Sequence, residues 1–362
     1  MKKNKTIVTI TGIRPDFIRM SEIFKLLDKN FNHICIHTGQ HFDKNLSSFF
    51  FNELKLRKPN YNLKIGSKGR PHYVQNSVLN IRLLKLFKDK KIYPDLIIFL
   101  GDSNSVCSSV ALKKEGYKIC HIEAGMRSGD KRMLEEINRI VCDHCSDLLM
   151  VYHKDYKRNL IKENINSKNI FVVGNTIKEV FKKQIRFLSK KKVDNYILVD
   201  IHRPENFNYS TRMKNILKFL KYLSKKEKKK IMFLNFKSTI DRINKFRLNK
   251  KSINIVPLMN YIDFLNYQNN AFCLVSDSGT AQEETALLKT PVIVPRDFTE
   301  RPQSYHNNCS KKVNVNKMDI KNWNKCISWI RNYNKNKIKA KTAWLGDGKT
   351  SKEIIKHIKK NI

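Results

Sequence analysis

Short apolar runs rich in β-branched residues recur along this chain, separated each time by an amphipathic stretch. Six runs, at 6–11, 33–37, 95–100, 118–122, 147–152 and 170–173, form a first series, and five more, at 196–200, 231–235, 253–256, 272–276 and 292–294, form a second. The stretches between them carry apolar residues at helical spacing, such as Phe17, Met20, Ile23, Phe24 and Leu27, or Ile81, Leu84 and Phe87. Strands alternating with helices must return in parallel, which predicts an α/β chain with two doubly wound, Rossmann-like halves. At 362 residues the chain has room for two domains of roughly 150 residues each. The boundary is expected near residue 176, where Gly174 and Asn175 give way to a helix-forming stretch at 177–188. No internal repeat interrupts the pattern, and a lysine-rich tether lies near 334–341.

The charge balance invites a different reading. Lys and Arg number 72 against 32 Asp and Glu, a net charge of +40 that would suit a nucleic-acid or anionic-surface binder. Roughly three quarters of the basic residues are Lys, however, spread along the chain with much Asn and Ile, and no nucleic-acid-binding motif accompanies them. The densest runs, at 189–192 and 225–230, fall at helix ends or loops, so no nucleic-acid partner is expected. No segment approaches the ~18 consecutive apolar residues of a spanning helix, and the basic start is cut off by Arg14-Pro15-Asp16 before a signal-peptide core can form. These features predict a cytoplasmic protein with no membrane partner. The eight Cys are scattered, several inside strand-like runs, as buried thiols are. Cys142-Asp143-His144-Cys145 has the spacing of half a zinc site but no second pair at a usual distance, so no metal is expected.

In an open α/β sheet, ligands bind beyond the carboxyl ends of the strands, so chemistry is sought there. After the first strand stands Thr11-Gly12-Ile13-Arg14-Pro15-Asp16, where a helix N-terminus offers amides to an anion and Arg14 can clamp a phosphate. A tight turn with a surface Arg would look the same. After the second strand, Thr38-Gly39-Gln40-His41-Phe42-Asp43 gathers an amide, an imidazole and a carboxylate. Asp102 follows the third strand and Glu123 the fourth, with Glu135 and Arg139 at the start of a helix after that. Each alone could be a cap or a solvated charge, but acids at three places on one edge of so basic a chain suit proton transfer. In the second half, Asp200-Ile201-His202-Arg203-Pro204-Glu205-Asn206 follows one strand and Asp277-Ser278-Gly279-Thr280 another. Ser278, Gly279 and Thr280 can present amides and hydroxyls to a diphosphate, and Glu283 or Glu284 can accept from ribose hydroxyls. A helix N-cap with acids in its first turn is the alternative.

Taken in order, these segments resemble the non-hydrolysing UDP-N-acetylglucosamine 2-epimerase family. The likeness runs from Gly12-Ile13-Arg14-Pro15 through Thr38 to His41, Gly101-Asp102, His121 to Ser128, Glu135 to Arg139, Gly174-Asn175, His202 to Asn206, Asp277-Ser278-Gly279, Gln282-Glu283-Glu284, Arg296 and Thr299 to Pro302, ending at Gly346-Asp347-Gly348. The resemblance implies a glycosyltransferase-B-like fold of two Rossmann-like domains with a cleft between them. It places residues 1–176 in an N-terminal domain, onto which a C-terminal helix at about 350–362 packs back, and residues 177–349 in a UDP-binding domain. It implies an isomerase that eliminates UDP across C1 and C2 of a UDP-N-acetylhexosamine and adds it back, with no cofactor, as a homodimer, for surface-glycan precursors. Asp102, Glu123, Glu135 and His202 match the family's catalytic residues. Arg14, Arg19, His41, Arg139, Asn175, Arg203, Glu205, Asn206, Ser278, Gly279, Thr280, Glu284 and Arg301 match positions that bind UDP or substrate.

The chain departs from the family at several positions. Asp16 stands where Glu is usual, Arg19 where Lys is, Thr280 in place of a second Gly, Gln303 and Ser304 where Glu and a small residue are common, and Phe236 in place of a histidine tied to an allosteric second substrate. Thr280 is associated with relatives acting on 6-deoxy or L-configured analogues. The competing functions are a glycosyltransferase of the same fold, a UDP-releasing hydrolysing epimerase and, last, an anion- or nucleic-acid-binding protein.

Overall fold

In the computed structural model, residues 5–39, 48–66 and 71–362 are described, the side chains of 48–50 excepted. The chain forms two compact units, one of Met1–Val180 with Leu345–Ile362 and one of Phe181–Trp344. The first division falls after Val180 rather than after residue 176.

The first unit holds seven parallel strands, β1 (Thr6–Thr11), β2 (Asn32–His37), β3 (Tyr61–Asn62), β4 (Leu96–Leu100), β5 (Ile119–Ile122), β6 (Leu148–Val151) and β7 (Ile170–Val172), in the order β3-β2-β1-β4-β5-β6-β7. β4 reads Leu-Ile-Ile-Phe-Leu with every residue buried, as a strand covered on both faces requires. Helix Arg14–Asn30 carries Pro15 in its first turn and buries Phe17, Met20, Ile23, Phe24 and Leu27, the set its spacing predicts. The C-terminal helix Thr350–Asn361 belongs to this unit, buries Ile354, Ile355 and Ile358, and donates from Lys359 Nζ to Asn30 at 2.7 Å. Those three side chains contribute about 2 kcal/mol each. Its entry requires glycine: Gly346 (φ +80°) lies so close to Gly174 that a Cβ would come within 2.8 Å of the latter's Cα.

The second unit repeats the plan with β8 (Tyr196–Asp200), β9 (Lys230–Leu234), β10 (Asn254–Val256), β11 (Cys273–Ser276), β12 (Val292–Val294) and β13 (Ser310–Lys312), parallel and ordered β10-β9-β8-β11-β12-β13. Its core gathers Ile197, Val199, Phe219, Phe233, Val275 and Trp323. β3 and β13 were not expected from the sequence, being two- and three-residue edge strands of mostly polar residues. The stretch at 177–188 forms helix Thr176–Gln184 and a 3-10 turn, Ile185–Phe187, and the helix expected from 281 starts at Gly279.

The order in which strands are added reverses between β1 and β4 in the first sheet and between β8 and β11 in the second, the switch points where such sheets open a crevice. The charge is segregated. Among the described residues, five Arg (Arg19, Arg139, Arg212, Arg296 and Arg301) are buried and no Lys is. No helix among them is long and apolar enough to cross a membrane.

Candidate active site

β1 and β4 bring the residues after Thr11 and Leu100 to one edge. Arg14 opens helix Arg14–Asn30 there. The amides of Gly12 and Ile13 donate to Asp16 Oδ2 at 2.7 and 3.1 Å, so the anion-binding amides expected at this turn are taken by the chain's own carboxylate. Burial pushes Asp16 up to about 7 against the pull of those two bonds. One turn on, Arg19 Nη1 meets Glu123 Oε2 at 2.5 Å, with both side chains less than a tenth exposed.

Glu123 follows β5 with φ +74°, a left-handed backbone that costs about 1–2 kcal/mol in a residue with a Cβ. Its amide and that of Ala124 both donate to Met150 O, at 3.0 and 3.3 Å, which holds the strained turn. Gly125 completes it: with φ +75°, a Cβ there would drive into the Tyr156 carbonyl and within 2.9 Å of Leu160 Cγ.

Asp102, two residues beyond β4, is clamped by Arg139, whose Nη2 reaches its carboxylate while Nη1 lies 3.4 Å from Glu136. Asn138 donates to the Asp102 carbonyl at 2.9 Å. Arg139 and Asn138 sit on helix Leu134–Cys145, and Glu135 precedes them by four and three residues, on the same helical face. Asp102 keeps 22% of its side chain exposed whereas Glu123 keeps 2%, so the two differ in access to solvent. The first unit thus places Asp102 and Glu123 at adjacent strand ends, each paired with a buried Arg, and Glu135 one turn before Arg139 on its helix.

Beyond β8 and β11 lies a second cluster. His202 Nδ1 donates to Asp200 Oδ1 at 2.8 Å, and its ring lies 4.8 Å from that of Phe236. Asp277 accepts from the amides of His202 and Arg203, both at 3.1 Å, and from Asn206 Nδ2 at 2.8 Å. Burial alone would lower His202, but the Asp200 and Asp277 carboxylates raise it above its ordinary value. Single ligand atoms of Asp200, His202 and Asp277 lie within 4.8 Å of one another, a spacing compatible with a metal. N–H donors and the Ser276 hydroxyl already occupy both carboxylates, so the trio acts as a clamp that orients His202.

Ser278 caps helix Gly279–Leu288 by accepting from Ala281 N, and Gly279 and Thr280 supply its first N–H groups, which no intrahelical acceptor can reach. Gly279 is required: a Cβ would meet the Arg301 guanidinium. Arg301 is itself buried, donating to Glu283 at 2.7 Å and Glu300 at 2.6 Å. Glu300 also pairs with Arg296 at 2.9 Å and lies 3.6 Å from Arg203, while Arg296 lies 3.6 Å from Glu205. Three Arg thus face three Glu beneath the helix start, and Arg301, matched above to a position that binds UDP or substrate, lies buried under Gly279. Glu284 is buried deeper on the same helix, accepting from Gln268 at 2.8 Å, and burial pushes it up to about 7.

Asn175 caps helix Thr176–Gln184, accepting from Ile177 N at 2.9 Å, and its amide donates to Leu345 O. His41 lies outside the described residues. Sequence reasoning missed Asp143 and the roles of Asp16 and Asp277, because each role is recognised only by its partners.

Two Rossmann-like sheets, one edged by an Arg-clamped carboxylate array and the other by a helix start suited to a diphosphate, define a glycosyltransferase-B-like α/β protein. The profile of the UDP-N-acetylglucosamine 2-epimerase family matches residues 25–359, and the chain belongs to that family. It is 34% identical to a UDP-N-acetylglucosamine 2-epimerase of Methanococcus maripaludis over 96% of each chain. It is 29% identical to a UDP-2,3-diacetamido-2,3-dideoxy-D-glucuronate 2-epimerase of Pseudomonas aeruginosa, over 81% of this chain and 84% of that one. The crystal structure of the Methanocaldococcus jannaschii UDP-GlcNAc 2-epimerase in complex with UDP-GlcNAc and UDP superposes with a TM-score of 0.89 at 33% identity, covering 98% of this chain and all of that one.

Proposed function

We propose that this chain is an isomerase that inverts C2 of a UDP-N-acetylhexosamine, interconverting UDP-N-acetylglucosamine and UDP-N-acetylmannosamine or a modified analogue. The observation that carries this reading is the array of Asp102, Glu123 and Glu135 with Arg19 and Arg139 at one sheet edge. Elimination passes the C2 proton to a carboxylate while UDP departs with the C1–O electron pair, leaving a 2-acetamidoglucal. Readdition re-forms that bond as a second acid delivers a proton to the opposite face of C2. The C2 hydrogen is not beside a carbonyl, so its removal demands a positioned base and a stabilised leaving group, and inversion demands acids on both faces. The cycle is redox-neutral and consumes no co-reactant.

Within this proposal Ser278, Gly279 and Thr280 seat the diphosphate, Arg14 neutralises it as it leaves, and Arg301 supports the seat from below. Glu284 accepts from the ribose, while His202, Arg203, Glu205 and Asn206 form the neighbouring wall. The diacetamido-glucuronate epimerase among the relatives supports a modified hexosamine as an alternative substrate. A transferase of the same fold needs one base near its acceptor and leaves three grouped acids unexplained. Family resemblance supports a homodimer in the cytoplasm that feeds surface-glycan synthesis, and light scattering at micromolar concentration tests the dimer.

Proton NMR in deuterated water with UDP-N-acetylglucosamine tests the reaction. Deuterium at C2 with a new manno anomeric signal is expected, and the same experiment with 6-deoxy and L-configured analogues identifies the preferred sugar. Release of free sugar in place of a UDP-linked epimer would favour hydrolysis, and no C2 exchange with any of these substrates would refute the reading.

A further inference from the structure

His121 and Asp143 take no part in the reaction as proposed, yet both are fully buried. His121 is the third residue of β5, two before Glu123. Its Nε2 lies 2.7 Å from the Gly101 carbonyl oxygen and its Nδ1 2.6 Å from Asp143 Oδ1. A carbonyl oxygen and a carboxylate both only accept, so both ring nitrogens carry protons and the ring is an imidazolium. Asp143 Oδ2 in turn accepts from the Gly125 amide at 3.0 Å and lies 2.8 Å from Arg127 Nη1, and Arg127 also pairs with Glu163 at 2.7 Å.

Each of these bonds holds a segment that carries an acid. Gly101, with φ +75°, immediately precedes Asp102, and Gly125 ends the strained turn begun by Glu123. Asp143 belongs to helix Leu134–Cys145, whose first turn bears Glu135 and whose middle bears the Arg139 that clamps Asp102. One buried ion pair therefore joins the three separate segments that supply Asp102, Glu123 and Glu135. A buried ion pair is a poor source of stability, since apolar residues of similar volume often serve as well, so geometry is the more economical reason for this one.

We infer that His121 and Asp143 are positioning residues that set the three carboxylates in register for proton transfer at C2, a role that rests on the epimerase reading above. The groups around the ring are consistent with its doubly protonated state: burial opposes the charge, but the neighbouring Cys142 and the Asp143 carboxylate outweigh it and raise His121 well above its ordinary value. Asp143 is correspondingly lowered, with burial opposed by His121, Arg127 and the Gly125 amide.

Two measurements on the full chain test the role. In nitrogen-15 histidine spectra of the wild-type protein at pH 8, assigned by the signal lost in His121→Gln, both ring nitrogens of His121 should be protonated; a neutral ring would overturn the inference whether or not any variant folds. In Asp143→Asn the carbonyl oxygen still accepts but the charge that holds the imidazolium is gone. The rate constant for C2 exchange should fall about 100-fold, the cost of a small misplacement of catalytic groups, while the dissociation constant for UDP, whose seat lies on the second unit, stays within threefold. A rate within threefold of wild type, or a UDP affinity that falls in step with it, would count against positioning. Wild-type protein with no C2 exchange on any UDP-hexosamine would overturn the epimerase reading and the positioning role together, whereas a neutral ring in an exchanging enzyme overturns the positioning role alone.

Discussion

Glu284→Gln should make the second unit more stable at alkaline pH. Burial raises Glu284 from an ordinary value of 4.5 to about 7, with Glu283 and Asp200 adding to the rise and the Gln268 and Tyr261 hydrogen bonds opposing it. A carboxyl raised in the folded state favours folding only while protonated. Its contribution is intact below pH 4.5 and is lost as pH rises towards 7, above which ionisation in the unfolded chain costs the fold about 3 kcal/mol. Between pH 5 and pH 8.5 the difference is about 2.5 kcal/mol. Gln keeps an acceptor for Gln268 and has no charge to bury, so the variant should gain about that much over wild type across the interval, a shift on the order of 1 M in the urea midpoint. All three tryptophans, Trp323, Trp329 and Trp344, are buried in Phe181–Trp344, so intrinsic fluorescence reports the unit that contains Glu284. Parallel loss of stability in the two proteins from pH 5 to pH 8.5 would show that Glu284 ionises as readily folded as unfolded, and the burial argument would fail.

Other substitutions probe the two edges. Arg139→Met removes the clamp on Asp102 and should lower the C2 exchange rate about 100-fold or more, at a stability cost of about 3–5 kcal/mol, read by NMR and thermal unfolding. Gly279→Ala drives a methyl into the Arg301 guanidinium, which should cost about 1–3 kcal/mol and weaken UDP binding at least tenfold by calorimetry. Gly125→Ala meets a backbone carbonyl that cannot move aside and adds left-handed strain, so a loss of about 3 kcal/mol or more is expected in a melting experiment.

Interior strands were legible because a strand covered on both faces must be apolar throughout, as β4 is. β3 and β13 were not, because an edge strand of two or three residues buries too little to leave a pattern. The strand-end rule found Asp102, Glu123 and His202, since topology alone carries those residues to an edge. It could not show which contacts orient them. Asp143 meets His121 across 22 residues and Asp277 meets His202 across 75, separations at which no periodicity connects two positions. The amides after β1 were misjudged for a related reason: whether a turn binds an outside anion or its own Asp16 depends on a side-chain torsion that the order of residues does not specify.

The separation of buried Arg from outward Lys follows from what each cation needs from its surroundings. An ammonium loses its hydration at a prohibitive cost unless it is fully partnered, whereas a guanidinium can satisfy two carboxylates at once from one plane, as Arg301 does with Glu283 and Glu300. The abundant Lys of this chain accordingly lies in the solvent shell among the described residues, whereas Arg139, Arg296 and Arg301 hold buried carboxylates. The overall charge of +40 is therefore set in the solvent shell, apart from the buried Arg–carboxylate pairs.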